Sequence, residues 1–309
     1  MGQEGKKLLV IVGPTASGKS SLAIELAKKL NGEIISADSR QIYKGLEIGS
    51  GAVTKKESQG IKHHLIGIAS LKSTASAARY QKLARNAMRD VWSRGKLPIV
   101  CGGTGFYIQA AVDGIIMPSV KPNKKLRIKL GDKTARELSE MLRALDLKRW
   151  QSIDKNNKRR LVRSIEIARS LGSIPPLKSK PIEADVEFLG IDISKDELAR
   201  LIKKRVKGMI RRGFIDETRK LIRNGMPEEK INEFGFEYRD AVAYLNGIIK
   251  SKAALTDSMA KQSLQYAKRQ MTWFRRDKRI HWSKNKTETT KIVKEFFEKK
   301  TTRISNRPN

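Results

Sequence analysis

Along the N-terminal third of the chain, short unbroken apolar runs take turns with stretches whose apolar residues recur at helical spacing. Residues 8–12, Leu-Leu-Val-Ile-Val, form a continuous run bounded by glycine, the pattern of a strand buried on both faces. Over 21–30 the apolar positions are Leu22, Ala23, Leu26, Ala27 and Leu30, one face of a helix, and Asn31-Gly32 supplies its stop. Strands are predicted again at 33–37, 64–68 and 97–101, with a helix over 75–94 between the last two. This alternation predicts an α/β fold, a doubly wound parallel sheet. The pattern breaks at Met117-Pro118. Residues 119–172 are polar, lysine-rich and helical in period, with helices expected at 134–145 and 158–171, and a turn cluster containing Pro175-Pro176 follows. A strand at 186–193 resumes the core, and helices are expected at 195–212, 215–224, 239–245 and 257–277. The organisation read from this is a P-loop core made of 1–116 and 183–309, interrupted by a helical insertion at 117–182, with the last ten residues loose. No internal repeat is found.

Composition changes this picture in one respect. Hydrophobic residues make up 39% of the 309, ordinary for a globular chain, but 65 basic against 32 acidic residues leave a net charge of +33. A polyanionic partner, most commonly nucleic acid, accounts for such a balance; a generally basic proteome or a solubility device is the plainer alternative. One cysteine, Cys101, excludes an internal disulfide, and no Cys/His cluster has zinc spacing, so a reducing compartment and a cytoplasmic location are expected. Cys101 ends an apolar run and reads as a buried strand end rather than a nucleophile. No run of 18 apolar residues exists, so no membrane span is predicted, and the five at 8–12 are too few for a signal peptide.

The candidate chemistry begins where the first strand ends. Gly13-Pro14-Thr15-Ala16-Ser17-Gly18-Lys19-Ser20 matches the phosphate-loop pattern G-x-x-x-x-G-K-[ST] and lies between a predicted strand and a predicted helix, as the motif demands. Its glycines let successive N–H groups curl toward an anion, the helix adds its positive end, Lys19 supplies a mobile charge, and the Ser20 hydroxyl suits Mg²⁺. A nucleotide-hydrolysing enzyme also needs a second strand ending in a carboxylate. The 97–101 strand runs instead into Gly102-Gly103-Thr104-Gly105. The nearest acid is Asp38, after the second strand, whose bland alternative is a helix N-cap. Strand ends of a doubly wound sheet meet at one crevice, so Asp38 and Thr104 should both face the loop.

Four blocks now resemble one family. The loop Gly-Pro-Thr-Ala-Ser-Gly-Lys-Ser, the segment from Asp38 through Ser39, Arg40, Gln41 and Tyr43, the segment Cys101-Gly102-Gly103-Thr104-Gly105-Phe106-Tyr107, and Ala267-Lys268-Arg269-Gln270-Met271-Thr272-Trp273-Phe274-Arg275 stand in the order found in the tRNA dimethylallyltransferases, also called tRNA isopentenyltransferases. The resemblance implies transfer of a dimethylallyl group from dimethylallyl diphosphate to N6 of adenosine 37, beside the anticodon, with diphosphate leaving. It implies Mg²⁺ as cofactor, the tRNA anticodon arm as partner, and a monomer. By the same resemblance Asp38 is the general base, Thr104 orients it or the acceptor, residues 13–20 with Arg205 hold the diphosphate, and Gln41 reads the adenine edge. For Arg205 the alternative is an ordinary basic helix face. Arg159, Arg160, Leu161, Val162 and Arg163, together with Lys268 and Arg269, match segments that touch tRNA, and the target base must be flipped to reach a buried diphosphate. Basic residues interleaved with Tyr266, Trp273 and Phe274 suit RNA, although Trp273 and Phe274 also read as core.

The chain departs from the family in places. Leu264 stands where arginine is common, Asn157 where aspartate precedes the basic helix, and Ser20 replaces threonine while keeping the hydroxyl. The insertion is short, and no C-terminal zinc-finger pattern is present. Two rival readings are a P-loop kinase of small metabolites and a non-catalytic RNA-binding protein with a relic loop. The first leaves the charge unexplained, and the second leaves Lys19, Ser20 and Asp38 intact without reason.

Overall fold

In a computed structural model of the protein, residues 5–73 and 75–298 are described, so the tail expected to be loose lies outside the described residues. Eight strands occur among the described residues: β1 Lys7–Val12, β2 Gly32–Ser36, β3 His63–His64, β4 Leu97–Cys101, β5 Ile115–Ile116, β6 Lys178–Ser179, β7 Asp185–Ile191 and β8 Ile280–Ser283. Six of them form a sheet in the order β3-β2-β4-β1-β7-β8, and each neighbouring pair is parallel. β1 lies inside, in register with Ile99 of β4 and Glu187 of β7 at Leu9. Its unbroken apolar run is explained by burial on both faces. Leu8, Val10 and Val12 pack with Tyr80, Ala84 and Met88, whereas Leu9 and Ile11 pack with Ala23, Ile24 and Ala27.

The chain divides into two compact units, Met1–Asp113 with Ile182–Asn309, and Gly114–Pro181. In the larger unit a further apolar cluster, built on Val206, Phe214, Tyr238, Leu255 and Met259, joins the helices that follow β7. The smaller unit packs Leu130, Leu138, Leu142, Leu161 and Ile165 in its own core, and its two short strands β5 and β6, from its two ends, pair antiparallel. No helix among the described residues is long and apolar enough to cross a membrane.

Two expectations need correction. The strand expected at 64–68 ends at His64, because Leu65 and Gly67 adopt φ of 65° and 61° and turn the chain. The backbone N–H groups of Gly67 and Ile68 then donate to Gln41 O and Ile42 O, so the segment braces the loop after β2 instead of extending the sheet. Edge strand β8 and the helix Lys286–Glu298 were not expected. Four residues rich in polar neighbours offer too short a period-two signal; only Ile280 and Ser283 of that strand are buried.

Candidate active site

The ends of β2, β4 and β1 lie level, with Cys101 in register with both Ile11 and Ser36. The loops that follow them are stitched together: Ala37 N donates to Cys101 O at 2.8 Å and Thr104 N to Ala37 O at 3.1 Å. At Gly102 this approach is so close that a Cβ would sit 2.3 Å from Ala37 O, so glycine is required there. In the phosphate loop, Ala16 and Gly18 both take positive φ, 65° and 87°. Such left-handed steps turn successive N–H groups toward one side, the concavity that binds anions. Gly18 is also the N-cap of the helix Lys19–Lys29, so that helix points its positive end at the same place. Ser17 Oγ is buried there without a protein partner.

Lys19 is buried, and its ammonium donates to Pro14 O. Its pKa is lowered to about 8, by burial first and with Arg205 contributing, while Cys101 and Asp38 oppose the shift. A cavity of about 630 Å³ opens beside it, lined among others by Ser20, Lys28, Gly51, Arg205 and Arg212. A smaller one of about 50 Å³ shares Lys19, Ser20, Gly51 and Arg205 and adds Asp38, Arg40, Gln41, Tyr266 and Gln270. Arg205 is therefore not part of the basic face of its helix. Lys203, Lys204 and Lys207 are exposed, whereas Arg205 turns inward, donates to Ser50 O at 3.2 Å, and fills the space a Cβ on Gly51 would take. Burial first, and then Arg40, weakens its hold on its proton. Two cations, Lys19 and the inward-turned Arg205, line one cavity and suit a compact anion there.

Asp38 faces this pocket from a turn, with Oδ1 accepting from Arg40 N at 2.9 Å; no helix follows, so it is not an N-cap. Thr104 Oγ1 accepts from Ser39 N at 3.1 Å. Tyr266 lines the same small cavity as Asp38, and its phenol is held above its ordinary range by burial and then by Asp38. Arg40 pairs with Glu237 and lies 5.9 Å from the ring centres of both Phe236 and Tyr266. Gln41 uses its amide within the protein, accepting from Ser36 Oγ at 2.8 Å and donating to Gly51 O at 3.3 Å. Cys101 is buried and its thiol is pushed up to about 11, by burial first. A strand-end role follows for it.

The residues expected to meet RNA are distributed unevenly. In the smaller unit, Arg159 and Arg160 are exposed at the start of helix Lys158–Leu171, and Asn157 caps it by accepting from Arg160 N at 3.2 Å, as an aspartate would. Leu161 is core, Val162 packs against that core, and Arg163 is tied to Glu166 at 3.0 Å and to Val120 O at 2.9 Å. In the larger unit, Lys268 and Arg269 are exposed on helix Lys252–Phe274, with Arg269 5.7 Å from the Tyr266 ring centre. Phe274 is core, while Trp273 is half-buried and meets Phe106 edge-on at 6.5 Å.

Three residues were not singled out from the sequence. Glu217 accepts from the N–H groups of Ile48 and Gly49 at 2.7 and 2.9 Å and from the Tyr238 hydroxyl at 2.8 Å, fixing the segment that carries Ser50 and Gly51. Glu237 neutralises Arg40. Gln270 bridges two of the loops. Their partners lie far off in the chain, so no local motif marks the first two; Gln270 falls inside a quoted block and one turn after Tyr266, which was its only signal.

A family model described as IPP transferase matches residues 41–277. The tRNA dimethylallyltransferase of Anoxybacillus flavithermus is 38% identical over 283 residues, covering 90% of each chain. That of Staphylococcus aureus is 37% identical over 287 residues, covering 89% of this chain and 91% of its own. Among solved structures, the full-length tRNA isopentenylpyrophosphate transferase of Bacillus halodurans superposes with a TM-score of 0.69 at 32% identity, over 94% of this chain and 95% of its own. A eukaryotic dimethylallyltransferase acting on tRNA superposes with a TM-score of 0.78 at 26% identity, over 98% of this chain and 80% of its own.

Proposed function

This chain belongs to the IPP transferase family, and from that premise we propose that it transfers a dimethylallyl group to tRNA, with dimethylallyl diphosphate as donor and N6 of adenosine 37 as acceptor. The observation that carries the reading is the convergence of Lys19, Arg205 and Asp38 on one small cavity at the strand ends. Two cations and a carboxylate lining one cavity match a reaction that releases an anion and a proton together.

The exocyclic amine of adenine is a weak nucleophile, because its lone pair is delocalised into the ring. As the bond from N6 to the allylic carbon forms, the carbon–oxygen bond to diphosphate breaks and the N6 proton passes to Asp38. Negative charge grows on the departing diphosphate, where the loop amides, Lys19 and Arg205 already point, so these groups need not reorganise as the bond breaks. The same anion favours the charged form of Lys19 and holds it charged to higher pH. Thr104, held by Ser39 N, and Tyr266 flank Asp38 and bound the space for the base. The Ser20 hydroxyl lines the same cavity as Asp38, and oxygen donors of this kind, completed by the diphosphate and water, fit Mg²⁺. A bound Mg²⁺ would neutralise part of the leaving-group charge. The working unit is a monomer.

The test is incubation of the protein with anticodon-arm RNA, labelled dimethylallyl diphosphate and Mg²⁺. Label on the adenosine is expected. Asp38→Ala should lower transfer by about 10²- to 10⁴-fold, the usual worth of a general base, while RNA affinity stays near that of the parent. ATP turnover in place of prenylation would sink the reading, and near-parental transfer by Asp38→Ala would remove the base from its role.

A further inference from the structure

The phosphate loop and the Gly102–Thr104 loop come from different strands, and one side chain spans them. Gln270, on the helix Lys252–Phe274, is 6% exposed. Its Oε1 accepts from Thr15 N at 2.8 Å and its Nε2 donates to Gly103 O at 2.8 Å. Both polar ends of one buried amide are thus used, each on the backbone of a different site loop. The fit leaves no slack: a Cβ on Gly103 would fall 2.1 Å from Gln270 Nε2. Gly103 has no positive φ to account for it, so the glycine is there to admit the amide.

We propose that Gln270 is a positioning residue for the transfer, a clamp that sets the spacing between the donor-holding loop and the acceptor-side loop. The inference rests on the transferase reading. Through Thr15 it fixes the turn that leads into Ala16 and Lys19. Through Gly103 it fixes the residue before Thr104, whose hydroxyl holds Ser39 N next to Asp38. Group transfer depends steeply on the separation of the reacting atoms, so the clamp acts on the rate and not on the binding of either substrate by itself. The Thr15 amide, being spent on Gln270, is not among those offered to the diphosphate.

Three substitutions separate this from simple packing. Gln270→Leu keeps the volume and removes both bonds. Gly103→Ala leaves the glutamine in place and displaces its amide. Each should lower kcat by about tenfold to a hundredfold, with the Kd for anticodon-arm RNA, measured by fluorescence, within about twofold of the parent. Gln270→Glu supplies the discriminating readout. As a carboxylic acid, glutamate reproduces both bonds, with its O–H donating to Gly103 O; as a carboxylate it accepts from Thr15 N but opposes the Gly103 carbonyl. Its kcat relative to the parent at the same pH should therefore rise as pH falls, and division by the parent removes the contribution of Asp38. A kcat within about threefold of the parent for both Gln270→Leu and Gly103→Ala would overturn the clamp. So would a flat pH ratio for Gln270→Glu. If the parent itself fails to prenylate RNA, it is the transferase reading that falls; a parent that prenylates beside indifferent variants condemns the clamp alone.

Discussion

Lys19 shows how a single ammonium reports on its ligand. In the free protein burial brings its pKa down to about 8, with Arg205 adding to the shift. A diphosphate placed between these cations favours the charged form and raises that value. The free lysine loses its proton as pH rises through about 8, while the bound lysine keeps it. Diphosphate binding should then take up protons at about pH 8.5 and take up few at about pH 6.5, where Lys19 is charged in both states. Calorimetry in buffers of different ionisation heats measures this directly. Equal uptake at the two pH values would show that Lys19 does not meet the anion, and Lys19→Met should abolish the pH-dependent part. At this scale short motifs in the sequence mark Lys19, Ser20 and Asp38, which line one cavity, and Thr104, which accepts from Ser39 N beside Asp38. The sequence was a poor guide to Arg40, whose partner Glu237 is 197 residues away and enters with a helix of its own.

Helix Lys158–Leu171 divides its cations by where each stands along one turn and a half. Arg159 and Arg160 project from the N-terminal end into solvent, whereas Arg163 anchors the buried Glu166 together with Arg127 and Asn123 N. Arg160→Ala should weaken RNA binding and reduce the slope of log Kd against log salt by roughly 0.7 to 0.9, one phosphate contact. Arg163→Ala should instead destabilise the 114–181 unit by about 1.5–3 kcal/mol, the range for a hydrogen bond to a charged group, read by thermal unfolding. A changed salt slope in Arg163→Ala without loss of stability would reverse the assignment. Helical periodicity places all these arginines correctly in order but is blind to which one finds a glutamate. The same limit applies to strands. β1, β2 and β4 announce themselves as apolar runs because they are covered on both faces, while β8, at the edge and in charged surroundings, does not.

The whole molecule carries +33, far more than its inward-facing site uses. Such a field acts at a distance, drawing a polyanion in faster than chance encounter. Association with anticodon-arm RNA, followed by stopped flow, should slow steeply between about 50 and 200 mM salt, whereas affinity for inorganic diphosphate, held in a half-enclosed pocket, should change much less. Similar salt sensitivity for both ligands would place the phosphate site at the surface. Composition alone pointed to this partner, but it could not say which cations are surface field and which, like Arg205, have been drawn into the interior; only the packing against Gly51 distinguishes them.

The bond from Thr15 N to Gln270 Oε1 joins residues 255 apart, and this has a meaning for the protein while it is being made. The phosphate loop leaves the ribosome well before its brace. At the usual 5–20 residues per second, roughly 13 to 50 seconds separate them. During that interval the nascent chain displays a basic, RNA-attracting surface close to an abundant pool of tRNA without a finished catalytic centre. Prenylation competence therefore waits until Gln270 has emerged and reached Thr15, long after the phosphate loop itself has been made.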